Sequence, residues 1–303
     1  MVRKIKNYIV QTHGFQMTTA RLHQRNRRKE LMQLCGDVIQ KYKNEPQEQL
    51  SEQNSKYIWV CWWQGEQDMS PIVKECYRRI CHYNTNKKVI LITEKNLKDW
   101  VSFPDYILKK YRQGIITKTH FSDLLRMELL KEYGGVWMDI TLLTFGAVPE
   151  KFYRLPVYTG RFPYNKMDYN VSKNRWTSYF WVSRYPNNIL FRYMSDFWRV
   201  YWKQKDELIE YYLVDYALDF GYCNIPAMKR ELDAVPQSGC GQDVWKLLHI
   251  LSQSYNRTVL ETIIRENWMQ KLSYKGEAHI QDKAIDPPNS FYQKLFLDGV
   301  NEE

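Results

Sequence analysis

An α/β fold with a mostly parallel central sheet and an N-terminal helical appendage is predicted by three features of this 303-residue sequence. Residues 57–93 read as strand, helix, strand. Residues 117–141 read as a helix that turns at two glycines into a short strand ending in an acid. Residues 1–55 carry a basic amphipathic helix followed by a polar stretch. A chain of this length buries a large core as one domain or as two closely packed halves. With 44% hydrophobic and 26% charged residues, no tract is poor enough in apolar residues to stay unfolded.

The N-terminal segment places Thr18 and Thr19 as helix caps ahead of a basic run, Arg21 to Lys29. Leu31, Leu34, Cys35, Val38, Ile39 and Tyr42 then recur at i, i+3, i+4, i+7, i+8 and i+11, the stripe of an amphipathic helix. That stripe either packs on the main body or leaves the basic turn free to face anionic lipid head groups. Residues 44–55 are polar and read as a linker.

The main body opens with Tyr57-Ile-Trp-Val-Cys-Trp-Trp63, continuous and apolar as a strand buried on both faces should be. Gln64-Gly65 ends it, Pro71 suits the first turn of a helix reaching about Tyr83, and Lys88 to Thr93 is a second buried strand. Strand, helical crossover and strand make a parallel pair. Parallel sheets bind ligands outside the carboxyl ends of their strands, which directs attention to Trp62, Trp63, Gln64, Gly65, Thr93 and Glu94.

From Thr117 to Tyr133 a helix sets Phe121, Leu124, Leu125 and Leu129 on one face, with Thr119 or Ser122 as its cap and Asp123 near the positive end of its dipole. Gly134-Gly135 ends it, the first glycine suited to a left-handed turn, and Val136-Trp-Met138 runs directly into Asp139. Beyond Pro149 the pattern shifts. Tyr179 to Val182 is a strand, Asn188 to Lys205 a helix, and Asp206 is placed as the cap of a second helix reaching Tyr222. Further helical segments fall near 244–251 and 259–268, and the C-terminal residues 284–303 are weakly patterned. The organisation is therefore 1–55, 56–150 and 151–303.

Net charge of +10 favours anionic partners: nucleic acid, an acidic membrane surface or a phosphorylated substrate. Eleven Trp and 23 Tyr suit either a core of large rings or an open cleft on which sugars and bases stack. No window reaches the roughly 18 apolar residues of a membrane span, and the basic start lacks a signal-peptide core, so the expected location is the cytoplasm. The six cysteines form no CxxC pair and the six histidines no HxH or HxxxH pair; reduced thiols are expected, and a zinc or histidine-based metal site is not.

Chemistry concentrates at Asp139. A carboxylate at a buried strand end can hold Mg²⁺ or Mn²⁺ against the diphosphate of a nucleotide-sugar donor, although an isolated acid there can equally be a turn into a loop. Asp123 and Arg126, three residues apart, share a helix face. They form either a surface ion pair or a donor site, with Asp123 accepting from ribose or base and Arg126 meeting phosphate. Because the glycine pair reverses the chain, the strand can return Asp139 to the helix and make one shared site.

The block His120-Phe-Ser-Asp-Leu-Leu-Arg-Met-Glu-Leu-Leu-Lys-Glu-Tyr-Gly-Gly-Val-Trp-Met-Asp-Ile-Thr141 resembles the signature of the capsular polysaccharide synthesis proteins. These are bacterial relatives of glycosyltransferases with a DxD sugar-binding region, a group that includes initiating α-1,6-mannosyltransferases. Ile58 to Gly65 resembles that family's first strand, and Leu208 to Tyr216 and Lys271 to Tyr274 are weaker matches. The resemblance implies a GT-A-like nucleotide-sugar-binding fold, with 56–150 as the donor half and 151–303 as the acceptor half. It also implies a UDP-hexose-like donor, Mn²⁺ or Mg²⁺, a polysaccharide or lipid-linked saccharide acceptor, and a retaining outcome. By the same resemblance Asp139 matches the first DxD acid, as catalytic residue and metal ligand. Asp123 and Arg126 match donor-contacting positions, and Trp62, Gln64, Gly135 and Thr141 join the donor-binding set. Asp215 sits either at a solvated helix edge or in the cleft, orienting an acceptor hydroxyl or stabilising the cationic transition state.

Two positions depart from the family pattern. Thr141 stands where DxD has its second acid, and Gln270 stands where relatives often carry a histidine, so His279 or a water would have to replace it. These departures favour one rival reading, a non-catalytic scaffold of a polysaccharide assembly complex. Charge and aromatic content prompt another, a nucleic-acid-binding protein. The chain has no recognised nucleic-acid motif and its positive charge is thin outside Arg21–Lys29, so nucleic acid is not an expected partner, whereas peripheral contact with the inner face of the cell membrane is.

Overall fold

The structure, a computed structural model, describes residues 2–46, 56–163, 170–237, 243–275 and 289–298, with side chains from residue 18 onward. Helix α1 spans Val2–Tyr42 with a break in helical dihedrals at Cys35. Thr18 and Thr19 lie inside it rather than capping it: the residues before them continue the helix, so no backbone N–H is left there for a cap. The expected stripe is buried apart from the half-buried Leu34, with Leu31 and Cys35 completely covered, and Tyr42 donates to Asp196 Oδ2 at 2.8 Å. The helix therefore packs on the body, and Arg28 Nε meets the fully buried Asp219 Oδ2 at 2.7 Å.

The main sheet begins with β1 (Tyr57–Cys61), α2 (Pro71–Tyr83) and β2 (Lys88–Ile92), and β1 and β2 are parallel as the crossover demands. Short α3 (Leu97–Trp100) and α4 (Asp105–Arg112) lead to α5 (Lys118–Tyr133) and β3 (Gly135–Met138), which lies parallel to β1. The chain continues through β4 (Leu142–Thr144), β5 (Val157–Thr159) and β6 (Phe180–Ser183). It then forms α6 (Ile189–Gln204), α7 (Leu213–Asn224), α8 (Pro226–Asp233), α9 (Lys246–Ile250), α10 (Arg257–Glu266) and β7 (Met269–Lys271).

Strand order in the five-stranded sheet is β2-β1-β3-β6-β5, with β6 antiparallel to both neighbours, so four of the five strands point the same way. The fold is thus mixed α/β with a mostly parallel sheet and an N-terminal helix. Strands from 56–150 and 151–303 share this sheet across β3 and β6. Two apolar layers enclose it. One joins α1, α5, α6 and α7 to a face rich in Trp59, Trp137 and Trp181; the other holds Ile58, Val136 and Phe180. A separate two-stranded ribbon pairs β4 with β7.

Two helix starts differ from expectation. Thr117 caps α5, its hydroxyl accepting from His120 N, so Ser122 and Thr119 are internal and Asp123 lies in the second turn, beyond the strongest part of the dipole. Residues 205–212 are a loop and Asp206 caps nothing; it pairs with Lys110 at 2.9 Å. Tyr201 Oη ties that loop down, donating to Glu207 O and accepting from Ile209 N.

Candidate active site at the carboxyl ends of the central strands

Because β1 and β3 are parallel, Trp62–Gln64 and Asp139–Thr141 emerge at the same edge of the sheet. Between them lies a cleft of about 440 Å³, whose lining also includes Tyr211, Tyr212 and Tyr274. A larger cavity, about 830 Å³, lies between α3, α4 and the start of α5. Its walls are mainly apolar, including Leu97, Val101, Phe103 and Ile116, and they lack a convergent set of catalytic groups. The smaller cleft gathers Asp123, Arg126 and Asp139.

Gly134 makes the return of the chain possible. Its φ is +65°, and a Cβ there would stand 3.0 Å from the Tyr185 carbonyl carbon, so a side chain would be both strained and crowded. The reversal carries β3 back along α5, and Arg126 bridges the two elements. Its Nη1 donates to Asp123 Oδ1 at 3.0 Å and its Nη2 to Asp139 Oδ1 at 3.2 Å. Trp137 Nε1 donates to the same Asp139 oxygen at 2.9 Å, while the guanidinium lies 5.0 Å from the Trp137 ring. The Asp139 backbone N–H is held by Tyr179 O at 2.9 Å. Asp123, Arg126 and Asp139 are therefore one network in one cleft, and the buried Trp137 orients the acid.

Burial is the main influence on Asp123. It pushes the carboxyl up to about 6; the Asp139 charge adds to this and Arg126 opposes it. Asp215 is likewise pushed up to about 6, first by burial, with the hydrogen bond from Trp176 Nε1 at 2.9 Å opposing. Asp215 does not line the cleft. Its neighbours Tyr211, Tyr212 and Val214 do, because α7 starts only at Leu213 and the preceding loop, rather than a helix, forms the wall. Asp215 reaches Asp123 and Arg126 only through charge. This placement, bonded to Trp176, gives no support to a contact between Asp215 and an acceptor.

Trp62 and Gln64 line the cleft, as does Thr141. The Trp62 ring meets Tyr274 edge-on at 5.1 Å, whereas Trp63 is buried against Phe121, its Nε1 donating to Ser122 Oγ at 3.0 Å. Both line the cleft, and Trp62 is the more exposed of the two. Gly135 does not line the cleft. It opens β3 at the opposite end from Asp139, paired with Ser183, and its φ of +102° marks a backbone role.

Lys271, which the sequence presents only at the start of a weak family match, lines the cleft beside Asp139 and Thr141. The β4–β7 ribbon sets it opposite Leu142, and Leu272 N donates to Thr141 O at 2.9 Å. Lys271 Nζ consequently stands 2.5 Å from Thr141 Oγ1 and 3.7 Å from Asp139 Oδ2. Gln270, beside it, faces away and is fully buried, its Oε1 accepting from Leu247 N at 2.9 Å. It fixes α9 to β7 and takes no part in the cleft.

These residues do not fit a divalent ion. Hard cations take several oxygen ligands. Here Asp139 Oδ1 already accepts from Arg126 and Trp137, Oδ2 and Thr141 face an ammonium, and no group of three His, Cys, Asp or Glu comes together among the described residues. His279, the alternative ligand, lies outside the described residues.

Comparison with known proteins adds a family. The model of the capsular polysaccharide synthesis protein family matches residues 7–295. No curated protein matches the chain. A solved structure called PaToxG Glycosyltransferase is 15% identical, with 82% of this chain and 95% of that one covered, at a TM-score of 0.35, too loose a superposition to carry an argument.

Proposed function

We propose that this chain, which belongs to the capsular polysaccharide synthesis protein family, is a glycosyltransferase moving a hexose from a nucleoside diphosphate, UDP-hexose foremost, to a polysaccharide or lipid-linked saccharide. The observation that carries this reading is Arg126 spanning Asp123 and Asp139 where the parallel strands end. An acid for ribose or sugar hydroxyls, a guanidinium for phosphate and a ring for the base are what such a donor requires. Asp123, Arg126 and Trp62 supply them within one cleft.

In the transfer, the bond from the anomeric carbon to the phosphate oxygen breaks with its electron pair on that oxygen. The acceptor oxygen bonds to the same carbon. In a retaining course the acceptor proton passes to the departing phosphate on the same face. Asp139, held rigid by Trp137 and Arg126, presents a fixed negative oxygen to the developing positive charge on the sugar. The outer face of α1 supports peripheral attachment: Arg21, Leu22, Arg25 and Lys29 are exposed there, and anionic head groups complement them. No helix among the described residues is long and apolar enough to cross a membrane.

Thermal-shift measurements with UDP-, GDP- and CMP-sugars test the reading. A nucleoside diphosphate sugar should raise the melting temperature, and the gain should be lost in Asp123→Asn. No response to any donor would leave the non-catalytic scaffold as the better account.

A further inference from the structure

We infer that Lys271, with Arg126, neutralises the departing diphosphate directly, so that this site works without a divalent cation. The inference rests on the glycosyltransferase reading and concerns how its cleft handles charge. Lys271 Nζ occupies the gap between Thr141 Oγ1 and Asp139 Oδ2, the two side chains that a DxD-type metal site would use. An ion bound to Asp139 at about 2 Å would sit against this ammonium, two like charges in one small space.

The ammonium is not a surface group resting there by chance. Its strand is pinned by the β4–β7 register and by Leu272 N to Thr141 O, and only 14% of its side chain is exposed. Rings flank it, Trp245 at 5.8 Å and Tyr179 at 6.0 Å, which suits a held cation. The substitution of threonine at position 141 then has a physical reason. A hydroxyl accepts a hydrogen bond from Lys271 and adds no negative charge, so the ammonium keeps its own charge for the ligand.

Four cations, Lys118, Arg126, Lys271 and Lys275, line the cleft against two acids, Asp123 and Asp139. Lys118 also pairs with Glu94 at 2.9 Å. A positive surplus remains, complementary to a diphosphate. As the glycosidic oxygen takes the electron pair, Lys271 donates a hydrogen bond to the phosphate, and no proton need transfer from it.

Calorimetric titration of the full chain with UDP and GDP, and with uridine and guanosine, in EDTA and in Mn²⁺, tests this. One diphosphate should bind in EDTA within about twofold of its affinity in Mn²⁺. Lys271→Met should lose about 10- to 100-fold for that diphosphate, the worth of a charge-assisted bond, with the nucleoside unaffected and most of the loss recovered in Lys271→Arg. Diphosphate binding that collapses in EDTA would overturn the inference and leave the transferase reading intact. So would a Lys271→Met protein that binds it like wild type. Binding of no nucleotide under either condition would overturn both.

Discussion

Replacing Arg126 by methionine should destabilise the fold in a manner that depends strongly on pH. The guanidinium is buried and donates to Asp123 at 3.0 Å and Asp139 at 3.2 Å. Removing one partner of a buried pair leaves a charge uncompensated, which costs about 3–5 kcal/mol. Asp123 titrates near 6 with Arg126 holding it down. Loss of a neighbouring opposite charge raises such a carboxyl by about 1–3 pH units, so Asp123 of the variant should titrate between about 7 and 9. For an acid with a raised folded value, stability is lost as pH climbs through that value and regained as pH falls. The gap between variant and wild type should therefore be widest near pH 9 and narrow by about 1.4–4 kcal/mol on going to pH 5.5. Urea unfolding across that range measures it. A gap that stays constant with pH would refute the claim that Asp123 depends on Arg126 for its charge.

Other outcomes follow from the same geometry. Asp215→Asn keeps an acceptor for Trp176 and removes a buried charge. It should stabilise the chain at pH 8 by up to about 3 kcal/mol, an advantage that fades as pH falls through 6 toward 4, as urea unfolding would show. Gly134→Ala should cost about 1–3 kcal/mol in the same assay, because its positive φ and the Tyr185 backbone 3.0 Å away both resist a Cβ. Trp62→Ala should weaken binding of the nucleoside alone by about tenfold, a base-stacking loss readable by calorimetry.

The parallel unit β1-α2-β2 was legible because strands buried on both faces must be continuous apolar runs, and the crossover length then dictates their direction. The meeting of Asp123, Arg126 and Asp139 was legible because they lie within 17 residues, where helix spacing and a glycine reversal permit it. The loop of residues 205–212 was not. Its apolar spacing imitates a helix, and tertiary contacts hold it open, with Tyr201 Oη bonded to Glu207 O and Ile209 N and Lys110 Nζ donating to the Lys205 carbonyl at 2.8 Å. That loop supplies Tyr211 and Tyr212 to the cleft, and Asp215 follows them in the first turn of α7. Lys271 was hidden for a related reason: β4 and β7 are three residues each, too short to show a period, and Lys271 meets Thr141 across 130 residues of chain.

Transfer of labelled hexose from a nucleotide sugar by wild type and by Asp139→Asn bears most directly on the central claim. Asparagine preserves an oxygen for Trp137 and Arg126 while removing the negative charge, so folding and nucleotide binding should persist and turnover should fall by at least about 100-fold. An Asp139→Asn protein that transfers sugar at the wild-type rate would contradict the account.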